Sequence, residues 1–316
     1  MSAPAPATTP PTTAKQRPAD IIFRAISTIA GVSILVALAA VAVFLIAQSV
    51  PALFGDLSGL RNNPNNFLEY VAPLAFGTIW AAFLALLMAI PVSICVALFI
   101  THFAPRGLAN ALGYIVDLLA AVPSVVYGLW GATVVSGFMQ PAYEWLTANL
   151  GWLPFFAGQA SGTGRTVLTV AIVLAVMVLP IITALSREIF LQTPVLHEEA
   201  ALALGATRWE MIRMAVIPFG MPGVISASML GLGRALGETM AVAMVLSPAI
   251  VISFVLTSSE NPNTIAANIA LQFPEAHGIA SNALIAGGLA LFVITLIVNS
   301  IARLIINRRK EFSGAN

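Results

Sequence analysis

Val167 to Leu185 reads VLTVAIVLAVMVLPIITAL, nineteen consecutive residues without a charge. A helix needs roughly 20 mostly apolar residues to cross the hydrocarbon core of a bilayer, so this stretch reads as a membrane span. Comparable apolar runs lie near 25–50, 73–100, 108–138, 224–253 and 283–306. Six spans predict an all-α, polytopic membrane protein. Composition agrees: 59% of the 316 residues are hydrophobic and 9% charged, against roughly 45–50% and 25% in soluble domains. Mean hydropathy is +0.94. A soluble globular enzyme is excluded. The net charge of +1 gives no basic excess for nucleic acid. The single cysteine, Cys95, excludes an internal disulfide framework and a thiolate metal site.

Residues 1–20 are rich in Ala, Pro and Thr and cannot bury a core, so they read as a disordered tail. Residues 21–316 form the six-span domain, with a core at 72–306. The first apolar run is too long for a signal-peptide core and reads as an uncleaved anchor. Positively charged connections stay on the cytoplasmic side. If alternate connections are assigned to opposite sides, eleven of the fourteen Lys and Arg residues fall on one side and only Arg61 and Arg165 on the other; the fourteenth, Arg234, lies inside a span. Both termini are then cytoplasmic. The outside connections are 51–72, with its Asn62-Asn63-Pro64-Asn65-Asn66 turn run, 139–166 and 254–282. Within the last, Thr264 to Phe273 has apolar residues at helical spacing and reads as a short surface helix, a lid on the bundle or a docking element.

The inside connection 187–218 differs from the rest, with seven charged residues and His197 in 32 positions. Thr193-Pro194 fits an N-cap followed by proline at the first helical position. Gly205 suits the left-handed cap that ends a helix. Thr207-Arg208-Trp209-Glu210 has the spacing of a capping box. A helix, a tight glycine turn and a second helix ending before Pro218 follow, with Ala200, Ala201 and Ala203 as a small-residue surface. Glu199-Ala200-Ala201, Gly205 and Ile217-Pro218 resemble the EAA loop of binding-protein-dependent ABC importer permeases, with Ala215 and Ile217 as mild departures. That resemblance implies a type I ABC importer permease fold and a loop, carried by Glu199, Ala200, Ala201, Gly205 and Pro218, that docks into a cleft of an ATPase subunit. The bare alternative is a solvated helical hairpin.

The chain itself carries no nucleotide chemistry. A phosphate-binding loop needs Gly-Lys-Ser/Thr at the head of a helix, and the only lysines, Lys15 and Lys310, follow no glycine. His102, His197 and His277 have no metal spacing, and the glycines of 231–237 do not match a dinucleotide fingerprint. The same glycines, Gly233 and Gly237, have the spacing of a helix-packing pair. Beside them stand Arg234 and Glu238. An ionised residue near the bilayer centre costs roughly 2.5–3.5 kcal/mol, so such residues are paired, hydrated or functional. Spacing of four places both on one helix face. They either neutralise each other or line a passage for an anion, since a guanidinium fork matches phosphate oxygens. Asp117 is a second intramembrane acid of open role. Pro123-Ser124-Val125-Val126-Tyr127-Gly128 interrupts the third span, either as a plain kink or as a substrate-lining break.

Together, the 123–129 run, the 187–218 loop and Gly231-Leu-Gly-Arg-Ala-Leu-Gly-Glu-Thr-Met-Ala-Val at 231–242 resemble the phosphate-specific ABC permeases of PstC type over about 21–310. The resemblance implies inward phosphate transport by alternating access, with Arg234, Glu238, Thr239, Ser124 and Tyr127 on the path. It implies a heterodimer with a PstA-type permease, two PstB-type ATPase subunits that hold ATP and magnesium, and an extracytoplasmic PstS-type phosphate-binding protein. No cofactor is expected on this chain, and its expected place is a prokaryotic cell membrane. A permease for molybdate or sulfate, an ion-coupled anion carrier with Glu238 as the proton-coupling acid, and a non-transporting membrane sensor are the alternatives.

In a Cys95→Ala background, a cysteine at Asn63 should react with an impermeant thiol reagent from outside the cell, and one at Thr207 only after permeabilisation. Reversed labelling contradicts the orientation.

Overall fold

The computed structural model describes residues 18–310 except 58, 61 and 62; the side chains of Ile21 and of residues 305–310 are outside that description. Most of the expected tail, 1–17, therefore lies outside the described residues, as do Arg61, Asn62 and the side chains of the Arg308-Arg309-Lys310 cluster. Met1–Ala47 and Gln48–Asn316 are two compact units. Helix α1 (Pro18–Phe54) supplies the described part of the first and ends in the second. It is already helical over 18–20, where a tail was expected.

In the second unit, α2 (Phe67–Leu98) begins six residues before the expected span, because Asn66 accepts a hydrogen bond from the Glu69 N–H and caps it. A π-helical turn, Phe99–Phe103, continues it. The third expected span is two pieces. Helix α3 (Arg106–Ala120) stops before Pro123, and α4 (Ser124–Trp130), a π turn (Gly131–Val135) and α5 (Ser136–Leu150) continue at 90° to it. Helix α6 (Val167–Leu191) is straightforward, capped by the Thr166 side chain. The connection after it holds α7 (Val195–Ala203) and α8 (Arg208–Met211). A third π turn, Ile212–Val216, leads into α9 (Ile217–Leu236). The expected single span 224–253 is broken: α9 ends at Leu236, and α10 (Met240–Val245) starts afresh. Two-residue strands β1 (Pro248–Ala249) and β2 (Asn261–Pro262) pair in parallel, followed by α11 (Ile265–Gln272) and α12 (Ile279–Lys310). Among the described residues, five helices are long and apolar enough to span, or six with the bent α3/α4–α5 pair counted as one.

Lipid tails are as apolar as leucine, so helices in a bilayer associate by close packing rather than by hydrophobic burial. The core shows this. On α2, Ala81, Ala82, Ala85 and Ala89 are buried against Val170, Leu174, Val178 and Ile182 of α6. Across α6 lies a glycine face of α9. A Cβ at Gly220 would sit 2.7 Å from the Phe190 ring, one at Gly223 2.7 Å from Ile189, and one at Gly231 2.8 Å from Ile182. These glycines make the close approach expected of Gly233 and Gly237. A Cβ at Gly233 would meet nothing within 4 Å, and Gly237 is the residue at which α9 stops.

The expected surface helix exists as α11 but is not on the surface: Ile265, Ala266, Ala267 and Asn268 are buried. Long-range polar contacts hold it there. Thr78 on α2 accepts from the Ile265 N–H at 3.0 Å, and the Asn268 amide donates to the Tyr70 hydroxyl at 3.0 Å. Asn261, fully buried, accepts from the Val167 N–H and donates to the Arg165 carbonyl, fixing the start of α6.

Gly77 on α2 faces the backbone of the 254–282 connection, and a Cβ there would collide with the Asn263 carbonyl oxygen. Backbone cannot swing aside as a side chain can. Gly77→Ala should destabilise the purified protein by roughly 1–3 kcal/mol, the usual cost of overpacking, whereas Gly233→Ala should leave thermal unfolding in detergent unchanged or slightly raised.

Candidate functional site

Two helix breaks lie side by side. Helices α4 and α10, each the continuation of a broken span, pack together, with Gly128 so close to α10 that a Cβ would lie 2.9 Å from the Ala241 Cα. Each break ends a helical ladder, and at each a residue expected on the substrate path adds a side-chain hydrogen bond to the backbone. The Tyr127 hydroxyl donates to the Leu119 carbonyl at 3.0 Å, closing the end of α3, and the ring is buried. At the second break, the buried Glu238 carboxylate accepts from the Ala241 N–H at 3.1 Å and so caps α10. The Thr239 hydroxyl donates to the Gly237 carbonyl at 3.2 Å. Ser124 opens α4 and is half-buried.

The consequence for the charged pair is direct. The helix stops between Arg234 and Glu238 and the two form no ion pair; the ion pairs among the described residues are His102–Glu198 and Arg187–Asp117, both at 3.5 Å. Arg234 instead lines a cavity of about 630 Å³ between α6, α9 and α12, with Ile181, Ser226, Met229 and Leu230 among its walls. Its Nε is buried without a hydrogen-bond partner. Guanidinium is a five-donor cation that cannot lose its charge in a protein, and with no ion-pair partner among the described residues its cavity-lining N–H groups are suited to an acceptor that arrives from outside the chain. Spacing alone could not reveal this, since four residues apart means one face only where the helix is continuous.

The connection 187–218 is folded tightly. Gly205 has φ +86°, and the Ala206 N–H bonds to the Ala201 carbonyl while the Gly205 N–H bonds to that of Leu202, the paired closure that ends a helix on a left-handed residue. The Thr207/Glu210 capping box is complete. At the other end of α7 the expected cap is absent. Pro194 occupies the cap position and Thr193 is buried with its hydroxyl unbonded. Glu199 and Ala200 are exposed, but Ala201 is buried against Ala97, Leu98, Phe190, Met211, Ile212, Val216 and Val224. The small-residue surface is therefore Ala200 and Ala203, and Ala201 is its root in the bundle. Leu204, 88% exposed, Leu196, 75%, and Trp209, 57%, project from the same hairpin. Pro218 is exposed at the start of α9. Asp117 acquires a role: it meets Arg187 from α6, whose guanidinium lies over Gly113 of α3.

Residues 107–311 match the family described as the binding-protein-dependent transport system inner membrane component. The chain belongs to that family. It is a bacterial membrane permease component and not an enzyme. Over 299 residues it is 42% identical to the phosphate transport system permease protein PstC 2 of Mycobacterium tuberculosis, covering 92% of each chain. It is 39% identical to the phosphate transport system permease protein PstC of Mesorhizobium japonicum, covering 94% of this chain and 92% of that one. Among solved structures, a bacterial ABC transporter involved in the import of the acidic polysaccharide alginate superposes with a TM-score of 0.61 at 17% identity, over 92% of this chain and 96% of that one. The methionine ABC transporter MetNI in an inward-facing conformation gives 0.51 at 17% identity, over 77% and 95%. These two likenesses establish the type I importer permease fold that the 187–218 loop implied.

Proposed function

We propose that this permease moves inorganic phosphate into the cell as one half of a heterodimer with a PstA-type partner. It receives its substrate from an extracytoplasmic PstS-type protein and is driven by two PstB-type ATPase subunits. The observation that carries the anion is Arg234, a cation with no ion-pair partner among the described residues, beside a cavity. Phosphate itself rests on relatives named as phosphate permeases at 39–42% identity over nearly the whole chain. A fork of N–H donors can hold two phosphate oxygens at once, and Glu238, already engaged by the α10 backbone, does not compete for them. ATP and magnesium belong to the ATPase partners in this reading, and the chain holds no cofactor. Both termini and the 187–218 loop face the cytoplasm.

Coupling follows from packing. The exposed apolar side chains Leu196, Leu204 and Trp209 present a surface of the kind that another protein covers. Ala201 roots the hairpin among residues of α2, α6 and α9. A displacement of α7 by the ATPase therefore reaches three spans at once, and α9 carries Arg234 at its far end. Close-packed interiors shift between discrete arrangements rather than deform smoothly. The hairpin must be stiff for this, and its two caps make it so. π turns at Phe99–Phe103 and Ile212–Val216, beside the same root, are irregularities often found at functional positions.

The test is reconstitution in liposomes with the partner permease, ATPase and binding protein, followed by initial-rate uptake of labelled phosphate, sulfate and molybdate. ATP-dependent accumulation of phosphate alone is expected, and accumulation of sulfate or molybdate in its place overturns the substrate. In the same vesicles Gly205→Val, which forces a β-branched residue to φ +86°, should reduce both uptake and substrate-stimulated ATP hydrolysis at least tenfold while the chain still inserts. Uptake near wild type contradicts the coupling role.

A further inference from the structure

Arg303 was legible in the sequence only as one of the basic residues that flank the last span. Its position is more specific than that. It lines the same 630 Å³ cavity as Arg234, together with the adjacent Ala302 and with Asn299 one turn away on α12. Spacings of three and four put these on one face of a helix whose buried residues nearer its start are alanine and leucine. Among the described residues, no carboxylate lines the cavity. Two guanidinium groups thus open onto one largely apolar space with no internal acid to offset them. Arg303 stands at the exposed side of that space, and two like charges beside it favour an occupant that carries negative charge.

We propose that Arg303 is a second anion ligand of the translocation cavity, assisted by the Asn299 amide, and that it takes a phosphate-class oxyanion from Arg234 toward the end of α12. The inference rests on the reading of Arg234 as an anion ligand and extends it to a helix that the sequence motifs leave out. Guanidinium offers paired donors and Asn299 a further N–H, a set that suits a tetrahedral oxyanion with several acceptor oxygens. A cation nearer one end of the passage also keeps Arg234 from becoming a trap, since an anion bound at one site is drawn on by the next. Such multi-site holding is what lets a charged substrate both enter and leave. Phospholipid headgroups offer the same phosphate chemistry, and the two sources separate by experiment.

The assembled complex in proteoliposomes provides the test. Arg303→Gln should lower initial-rate uptake of labelled phosphate at least tenfold at matched abundance, in vesicles of phosphatidylcholine alone and in vesicles with added phosphatidylglycerol. Arg303→Lys, which keeps a point charge but loses the fork, should fall between. A binding readout independent of turnover uses Arg303→Cys in the Cys95→Ala background. Inorganic phosphate should slow alkylation of that cysteine at least threefold, and chloride at equal ionic strength should not. Uptake by Arg303→Gln within twofold of wild type overturns the proposal. So does a loss, or a protection, that depends on phosphatidylglycerol and not on inorganic phosphate. If the wild-type complex transports sulfate or molybdate instead of phosphate, the substrate assigned above fails, yet protection of the cysteine by that oxyanion still supports Arg303 as its ligand.

Discussion

Within hydrocarbon no water satisfies a freed backbone group, so every interruption of a spanning helix must be mended by protein. This chain interrupts two spans and braces both breaks with side chains: the Tyr127 hydroxyl on the Leu119 carbonyl, which the Val122 N–H also reaches, and the Glu238 carboxylate on the Ala241 N–H. The second repair has the larger consequence. By committing Glu238 to a helix end, it takes away the one acid that spacing would have paired with Arg234. What looks in sequence like a neutral pair is, in the fold, a structural carboxylate and an open cation.

The rest of the architecture supports that separation. Small residues let α2, α6 and α9 pack at close range: the alanines of α2 on one side and Gly220, Gly223 and Gly231 on the other. Packing them costs no side-chain rotamer entropy, since neither glycine nor alanine has a rotamer to fix. The same close packing ties the 187–218 hairpin to the spans through Ala201, which makes the loop an extension of the bundle rather than a separate appendage. Arg187 and Asp117 pin α6 to α3 near that end. A partner that moves the hairpin therefore has rigid elements to push against.

Features set by neighbouring residues were legible in the sequence. The apolar runs gave the spans, Gly205 the left-handed turn, and Thr207 with Glu210 the capping box, because each depends on a few adjacent positions. Features set by distant contacts were not. The burial of α11 depends on Thr78 and Tyr70, nearly two hundred residues away. Ala201 reads like its neighbours Ala200 and Ala203 until the bundle is folded against it. Gly237 has the spacing of a packing glycine but ends a helix, and its backbone carries no sign of this in the sequence beyond the residue type. Asp117 and Arg187 are seventy positions apart, and Arg303 reached the cavity only once α12 was placed beside α9. The three π turns left no periodic signal at all.

The account stands on Arg234 acting on the substrate rather than on Glu238. Phosphate uptake by Arg234→Gln, Glu238→Gln and the double variant, at matched membrane abundance in the assembled complex, tests that most directly. If the two charges only neutralised each other, removing both would restore what removing one destroys. The structure predicts that Arg234→Gln transports poorly and that the double variant transports no better. Uptake by the double variant close to wild type would contradict it.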